Sequence, residues 1–136
     1  MGAPRRSLAI ACALVVVIVP AAAGATSDLT VSVSRLSVPS TIQSGKTVTF
    51  GVRYVVRGPA ARSAFATVVL ELNGTSRYRV TSLPAKVRPA IWKWNVQDTL
   101  PPAFSAGRYR AVATITLTRS GKTIARTRRT STVIVR

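Results

Sequence analysis

The chain has 136 residues, with 20 lysines and arginines against 3 aspartates and glutamates, no histidine and one cysteine, for a formal net charge of +17. The absence of histidine excludes a Ser-His-Asp triad, a Cys-His dyad and histidine-ligated zinc. At this length a single domain is expected, and the strong positive charge points to anionic partners.

The first 25 residues have the pattern of a secretory signal peptide. Arg5 and Arg6 precede an apolar run over 8–19, and a proline and small residues follow at 20–25. Twelve apolar residues rise only about 18 Å as a helix, short of the roughly 30 Å hydrocarbon core of a membrane. We therefore expect cleavage after Ala25 and a secreted, periplasmic or cell-envelope location. Cleavage after Ala23 and an uncleaved anchor are the alternatives.

Removal of residues 1–25 leaves a domain over 26–136 without cysteine, because Cys12 departs with the leader. Of the 136 residues 111 remain, with 18 basic and 3 acidic side chains and hence a net charge of +15. Such a domain must be stabilised by its hydrophobic core rather than by disulfides. No later apolar run is long enough to span a membrane, so no stable span is expected after cleavage.

Seven segments alternate apolar and polar residues with a period of two, which is typical of half-buried β-strands. They are rich in β-branched residues, and none shows a helical period. In chain order the predicted strands are Leu29–Leu36, Lys46–Val56, Ser63–Leu72, Arg77–Ser82, Ala90–Val96, Gly107–Arg119 and Lys122–Val135. Seven short antiparallel strands in about 100 residues predict an all-β sandwich of two sheets.

Two dipeptides between the predicted strands indicate tight hairpin turns. Asn73-Gly74 and Ser120-Gly121 each suit a two-residue turn with a positive φ at both positions. The first turn joins the third and fourth strands, and the second joins the sixth and seventh.

The last predicted strand requires an irregularity. Uninterrupted alternation from Ile124 would place Arg126 and Arg128 on the buried face, where an unpaired charge costs several kcal/mol. We therefore expect a β-bulge between Ile124 and Val133, after which Val133 and Val135 point inward.

Two stretches resemble a known family. Leu29–Tyr54 (LTVSVSRLSVPSTIQSGKTVTFGVRY) resembles the opening of bacterial immunoglobulin-like modules, including the adhesion-related, fibronectin-III-like domain of bacterial surface proteins. Trp92–Thr116, with AGRYRAVATIT near its end, is similar to their sixth strand. The resemblance implies a seven-stranded antiparallel immunoglobulin-like sandwich in which Tyr109 is the corner tyrosine, whose hydroxyl ties a loop to the backbone. Relatives are usually tandem copies in neutral or acidic surface proteins, whereas this domain is single and basic.

The acidic residues offer no catalytic pattern. The only carboxylates are Asp28, Glu71 and Asp98, and no Ser-x-x-Lys pair is present. A glycosidase needs two carboxyl groups about 5–9.5 Å apart across a cleft, and three scattered acids cannot form a calcium loop of the usual ligand density. We therefore expect no catalytic residue, no cofactor and no metal site, and the chain is expected not to be an enzyme.

Trp92 and Trp94 lie on one face of the fifth predicted strand. Two neighbouring indoles can form a stacking platform for sugars or bases, but a tryptophan in such a sandwich is more often a core residue. Because apolar Val96 shares their face, we place both tryptophans in the structural core with Tyr109 and Phe50. This placement is compatible with partial exposure of one of the two tryptophans at the edge of a sheet.

Arginines are the main candidates for binding. Arg108 and Arg110 share one face of the sixth predicted strand, and Arg126, Arg128 and Arg129 lie on its hairpin partner. Like charges opposed across about 5 Å repel each other, which favours an anionic partner, either a teichoic-type polymer or a lipid surface. The alternative is a solvated surface produced by arginine-rich codon usage. Nucleic acid is the least expected ligand, because no nucleic-acid motif is present.

These features predict an exported, non-enzymatic binding or structural module of the cell envelope, with an envelope protein or an anionic polymer as its partner. One alternative is a cationic effector that binds anionic polymers or membrane surfaces. A second is an inhibitor of a secreted protease that presents the loop Pro101–Ala106. Exposed edge strands leave the oligomeric state open, including a dimer formed by edge pairing.

Overall fold

The computed structural model describes residues 28–136, which form nine β-strands and no helix. The strands are β1 (Thr30–Ser37), β2 (Thr41–Ile42), β3 (Thr47–Arg57), β4 (Ala64–Asn73), β5 (Arg77–Thr81), β6 (Ala85–Val87), β7 (Ala90–Thr99), β8 (Gly107–Arg119) and β9 (Lys122–Val135). The predicted signal peptide lies outside the described residues. Within 28–136 no helix has the length and apolar character needed to cross a membrane.

The strands belong to two sheets. The large sheet has the order β2-β9-β8-β4-β5, with β6 also paired to β4, and the small sheet has the order β1-β3-β7. The two-residue β2 runs parallel to β9, and the other pairs are antiparallel. The all-β, two-sheet prediction is therefore confirmed for the described chain.

All seven predicted strands are present, with ends that differ by at most three residues. The count of seven is too low, because β2 and β6 were not predicted. These strands have two and three residues, too few for alternation to be visible.

The inward side chains of three long strands form most of the core. β3 contributes them from the small sheet, and β4 and β8 contribute them from the large sheet. They are Val48, Phe50, Val52, Tyr54, Val56, Ala64, Ala66, Val68, Leu70, Leu72, Tyr109, Ala111, Ala113, Ile115 and Leu117. No polar or charged residue among 28–136 is buried with them. Apolar burial between the sheets is thus the main stabilising contribution.

The predicted core aromatic residues separate into two groups. Phe50 and Tyr109 are buried at the centre. Trp92 and Trp94 face inward beside them, but they are only half-buried, because β7 is an edge strand of the small sheet. The indole Nε1 of Trp92 donates a hydrogen bond to the carbonyl of Arg88 at 2.8 Å. The tryptophans therefore line the rim of the core.

The two predicted hairpin turns have different outcomes. Ser120 and Gly121 have φ angles of 53° and 77°, as a two-residue turn requires. The hairpin predicted at Asn73-Gly74 is present, but the two-residue turn is wrong, because Asn73 pairs directly with Arg77 and neither residue of the dipeptide has a positive φ. Three residues therefore join β4 to β5.

The expected irregularity in the last strand is present at Ile124, the start of the predicted interval. Beyond it, Arg126 and Arg128 pair with outward-facing residues of β8, whereas Val133 and Val135 are buried. The bulge thus removes two charges from the core face.

Candidate functional site

Few of the basic residues form ion pairs with the carboxylates. Within 28–136 the ion pairs form around Asp28 alone. Arg119 donates hydrogen bonds to its two carboxylate oxygens at 2.8 and 3.0 Å, and Nη1 of Arg62 lies 3.9 Å away. The bond from Arg119 and a backbone bond from Leu29 lower the pKa of Asp28 to about 2. Most of the positive charge is therefore left without an internal counter-ion.

Six arginines lie on the outer face of the large sheet, which we call the large-sheet face. They are Arg77 and Arg79 on β5, Arg108 and Arg110 on β8, and Arg126 and Arg128 on β9. All are exposed, and threonines occupy many of the positions between them. Glu71, opposite Arg79, is the single carboxylate on this face.

Strand register concentrates three of these arginines at one end of the face. Arg77 pairs with Asn73, Asn73 with Arg110, and Arg110 with Thr132, so the four residues form one row. Arg108 lies on the same face two positions before Arg110. Arg77 and Arg110 are two strands apart, about 10 Å, and Arg108 is about 7 Å from Arg110 along β8, so the three positive charges reinforce one another.

A groove of about 600 Å³ opens beside this row. Its lining consists of Asn73, Gly74, Arg108, Tyr109, Arg110 and Thr132, and we call it the Asn73 groove. Its volume is within the range of small-molecule binding sites.

Tyr109 makes the floor of the Asn73 groove rigid. Its hydroxyl donates a hydrogen bond to the carbonyl of Ser105 at 2.7 Å and accepts one from the amide of Ser76 at 3.1 Å. Its ring stacks on Phe104 with centroids 5.0 Å apart. The hydroxyl thus joins the loop before β8 to the turn before β5, as expected of a corner tyrosine.

The groove contains hydrogen-bond donors suited to anions. The guanidinium groups of Arg108 and Arg110 present planar sets of N–H donors that match carboxylate, phosphate and sulfate oxygens. The Asn73 amide and the Thr132 hydroxyl add neutral donors. These side chains provide binding and orientation rather than proton transfer.

The five candidate arginines of β8 and β9 are spread along the hairpin, and four of them share its outward face. Arg108 and Arg110 line the groove, whereas Arg128 pairs with Thr114, four residues along β8 from Arg110 and about 13 Å away. Arg129 lies opposite Ala113, an inward position of β8, and its Nη1 donates a hydrogen bond to the carbonyl of Val33 at 3.2 Å. Arg129 therefore does not share the face of the other four candidates, and the long β8–β9 hairpin spreads those four along its length.

Two residues of the row were not predicted as binding residues. Asn73 was predicted in a turn, and Arg77 was not among the candidate arginines. The pairing of β4 with β8 places Asn73 beside Arg110, and the β4–β5 hairpin places Arg77 on the other side of Asn73.

The loop Pro101–Ala106 is anchored to the domain. Phe104 is buried, and its amide donates to the carbonyl of Pro101 at 3.0 Å. The carbonyl of Phe104 accepts a hydrogen bond from the Ser44 hydroxyl at 2.7 Å. The largest side chain of the loop is therefore part of the core.

No protein-family model and no curated protein matches the sequence. The alkylpurine DNA glycosylase AlkC of Pseudomonas fluorescens, bound to DNA containing an abasic site analog, matches with a TM-score of 0.53 and 12% identity over 78% of this chain. A CARDB domain from Pyrococcus furiosus, in complex with di-metal ions, matches with a TM-score of 0.47 and 20% identity over 80% of this chain and 93% of its own. The sporulation control protein Spo0M of Bacillus subtilis matches with a TM-score of 0.46 and 14% identity, over 79% of this chain and 49% of its own.

The chain spans only 30% of the glycosylase chain. At this level of identity the likeness is one of fold alone.

Proposed function

We propose that the domain is an exported, non-catalytic module of the cell envelope that binds an anionic polymer in the Asn73 groove. The observation that supports this function best is the row Arg77–Asn73–Arg110–Thr132 with Arg108 beside it, because none of its three arginines forms an ion pair within residues 28–136. Repulsion among these groups is relieved when an anion binds.

We also propose that the sandwich is immunoglobulin-like and that residues 1–25 are its export signal. The two hydrogen bonds of the Tyr109 hydroxyl support the first assignment. The charged, apolar and small-residue sequence of the leader supports the second.

A polymer suits the site better than an isolated small anion does. The groove is open along the sheet surface, and Arg77 continues the same row two strands from Arg110. Simultaneous contact with several charged units makes such binding tight and strongly dependent on salt.

The experiment measures binding of linear polyphosphate at increasing salt concentrations and compares two double variants of equal charge. R108A/R110A removes two groove arginines, whereas R126A/R128A removes two from the other end of the same face. We expect the first pair to lower affinity at least tenfold and to reduce the slope of log K against log salt by roughly 2. The second pair should have a much smaller effect.

Two results would contradict the proposal. Binding that is indifferent to salt would exclude an anionic polymer as the ligand. Equal losses in the two double variants would mean that net charge, rather than the Asn73 groove, determines binding. Anionic phosphatidylglycerol vesicles provide the comparison for a membrane surface, and a preference for them over polyphosphate would favour the effector alternative.

A further inference from the structure

The small sheet carries a second group of cations on its outer face. Arg35 of β1 pairs directly with Arg53 of β3, and Arg53 pairs directly with Lys93 of β7. These three residues, which we call the Arg53 row, lie side by side across the whole sheet and are all exposed. Adjacent positions in the row are about 5 Å apart, close enough for strong repulsion.

No carboxylate of the described chain is available to neutralise the Arg53 row. Asp28 pairs with Arg119, Asp98 accepts a hydrogen bond from Tyr78, and Glu71 lies in the other sheet. The neighbouring outward rows are uncharged: Ser37–Gly51–Asn95 on one side and Ser32–Val55–Ile91 on the other. A counter-charge for the row must therefore come from outside.

The shape of the surface supports a bound group. Gly51 lies in the middle of β3, where a glycine leaves room for a neighbouring group to approach the backbone. The Asn95 side chain occupies the space above it, because a β-carbon on Gly51 would lie 2.7 Å from Asn95 Oδ1. A depression of about 190 Å³ lies beside this side chain, lined by the Arg53 row together with Ser37, Gly51, Val52 and Asn95.

We propose that the Arg53 row is an oxyanion site that takes one phosphoryl or sulfo group. Arg53 provides the central guanidinium, Arg35 and Lys93 flank it, and Asn95 and Ser37 supply neutral hydrogen-bonding groups at its border. The depression is smaller than a typical site for a whole organic ligand, so it suits a single charged group.

This site is independent of the Asn73 groove. The two lie on the outer faces of opposite sheets, which pack about 10 Å apart in a sandwich. One charged group therefore cannot contact both, and binding at the Arg53 row does not require the function proposed above.

The test is an NMR titration of the isotope-labelled full-length protein with inorganic phosphate and, separately, with linear polyphosphate at constant ionic strength. We expect saturable shifts of the Gly51 and Asn95 signals with at least one of the two. A response to phosphate itself identifies a free anion as sufficient, and a response to polyphosphate alone identifies the group as part of a polymer. Both results support an oxyanion site, and a response to neither overturns it.

Two exposed arginines of β3 provide matched variants. R53Q removes the centre of the row and should raise the dissociation constant about tenfold. R57Q removes the same charge from the same face of the same strand, four residues away and outside the row, and should change it less than twofold. Equal weakening by R53Q and R57Q would show diffuse attraction and overturn the site.

The same titration separates this proposal from the function assigned to the groove. R108A/R110A should leave the shifts of Gly51 and Asn95 unchanged while it weakens binding in the Asn73 groove. Thermal unfolding of each variant verifies that it is folded. Loss of the Gly51 and Asn95 response in folded R108A/R110A would contradict an independent second site.

Discussion

Gly74 lies flat against the ring of Tyr109. A β-carbon built on Gly74 would be 2.6 Å from Cδ2 and 2.7 Å from Cε2 of that ring, closer than real side chains approach. The ring cannot move away, because it is buried, stacks on Phe104 and is held through its hydroxyl by Ser105 and Ser76. This contact closes the floor of the Asn73 groove.

We expect Gly74→Ala to lower the free energy of unfolding by about 1–3 kcal/mol, the usual cost of forcing extra atoms into a packed site. Chemical denaturation measures the loss. Because the collision is with the tyrosine ring, G74A should cost much less in a Tyr109→Ala background, so a double-mutant cycle isolates the contact. The same cost in both backgrounds would mean that Gly74 is needed for a reason other than the ring.

The hydrogen bond from Arg119 makes stability depend on pH through Asp28. Its pKa is lowered to about 2 in the folded chain, against roughly 3.9 for an aspartate in an unfolded chain. A lowered carboxyl pKa stabilises the fold above the unfolded value, and the stabilisation is lost as the pH falls through the folded value. The relevant window is therefore about pH 4 to pH 2.

We expect Asp28→Asn to melt below the wild-type temperature at neutral pH and to converge with the wild type toward pH 2. Circular dichroism melts across the window measure this. Arg119→Gln also loses two hydrogen bonds to the carbonyl of Ser63, so its melting difference should narrow toward pH 2 without vanishing. Adding Asp28→Asn to Arg119→Gln should have little further effect. A melting difference that stays constant from pH 7 to pH 2 would contradict a role for the ionised Asp28.

The alternation of apolar and polar residues was sufficient to predict the long strands, because one face of each strand is buried. The inward residues of β3 and β8 follow a strict period of two, and both segments were identified to within one residue. Gly74 was misjudged for a physical reason. Local sequence associates glycine with a positive φ, whereas here a distant ring, that of Tyr109, excludes any side chain.

The candidate sites were harder to predict, because they depend on register and strand order. Counting outward from the Ser120-Gly121 turn places Arg110 near residue 132, so its separation from Arg128 could have been found from the hairpin alone. The Arg53 row could not be found in this way, because it requires β3 to pair with β7 although three strands, β4, β5 and β6, lie between them in the chain. No local pattern specifies that pairing.

The Tyr78–Asp98 hydrogen bond joins the two sheets. The Tyr78 hydroxyl on β5 donates to Oδ2 of Asp98 on β7 at 2.6 Å. Burial first, and then this bond, raises the pKa of Tyr78 above its usual range, and the same bond lowers the pKa of Asp98. The tyrosine therefore remains neutral in alkaline solution where an exposed tyrosine ionises.

Asp98→Asn should lower the pKa of Tyr78 without restoring its ordinary value, because burial remains the larger cause. An NMR titration of the tyrosine rings at alkaline pH measures this. Tyr54 is an internal control, since burial alone raises its pKa and it should be unaffected. An unchanged pKa of Tyr78 in D98N would mean that the hydrogen bond does not persist in solution.

Gly51→Ala should weaken anion binding at the Arg53 row with little change in the stability of the fold. Replacing a glycine inside a strand gains about 0.5–1 kcal/mol, and the atom in the way is the end of the flexible Asn95 side chain rather than backbone. The free energy of unfolding should therefore change by less than about 1 kcal/mol. The displaced Asn95 and the filled depression should nevertheless weaken phosphate or polyphosphate binding at the row, as measured by NMR titration.

Thr49→Ala, two residues earlier on the same outward face of β3, is the control and should leave binding intact. If G51A binds like the wild type, the depression over Gly51 has no part in holding the anion.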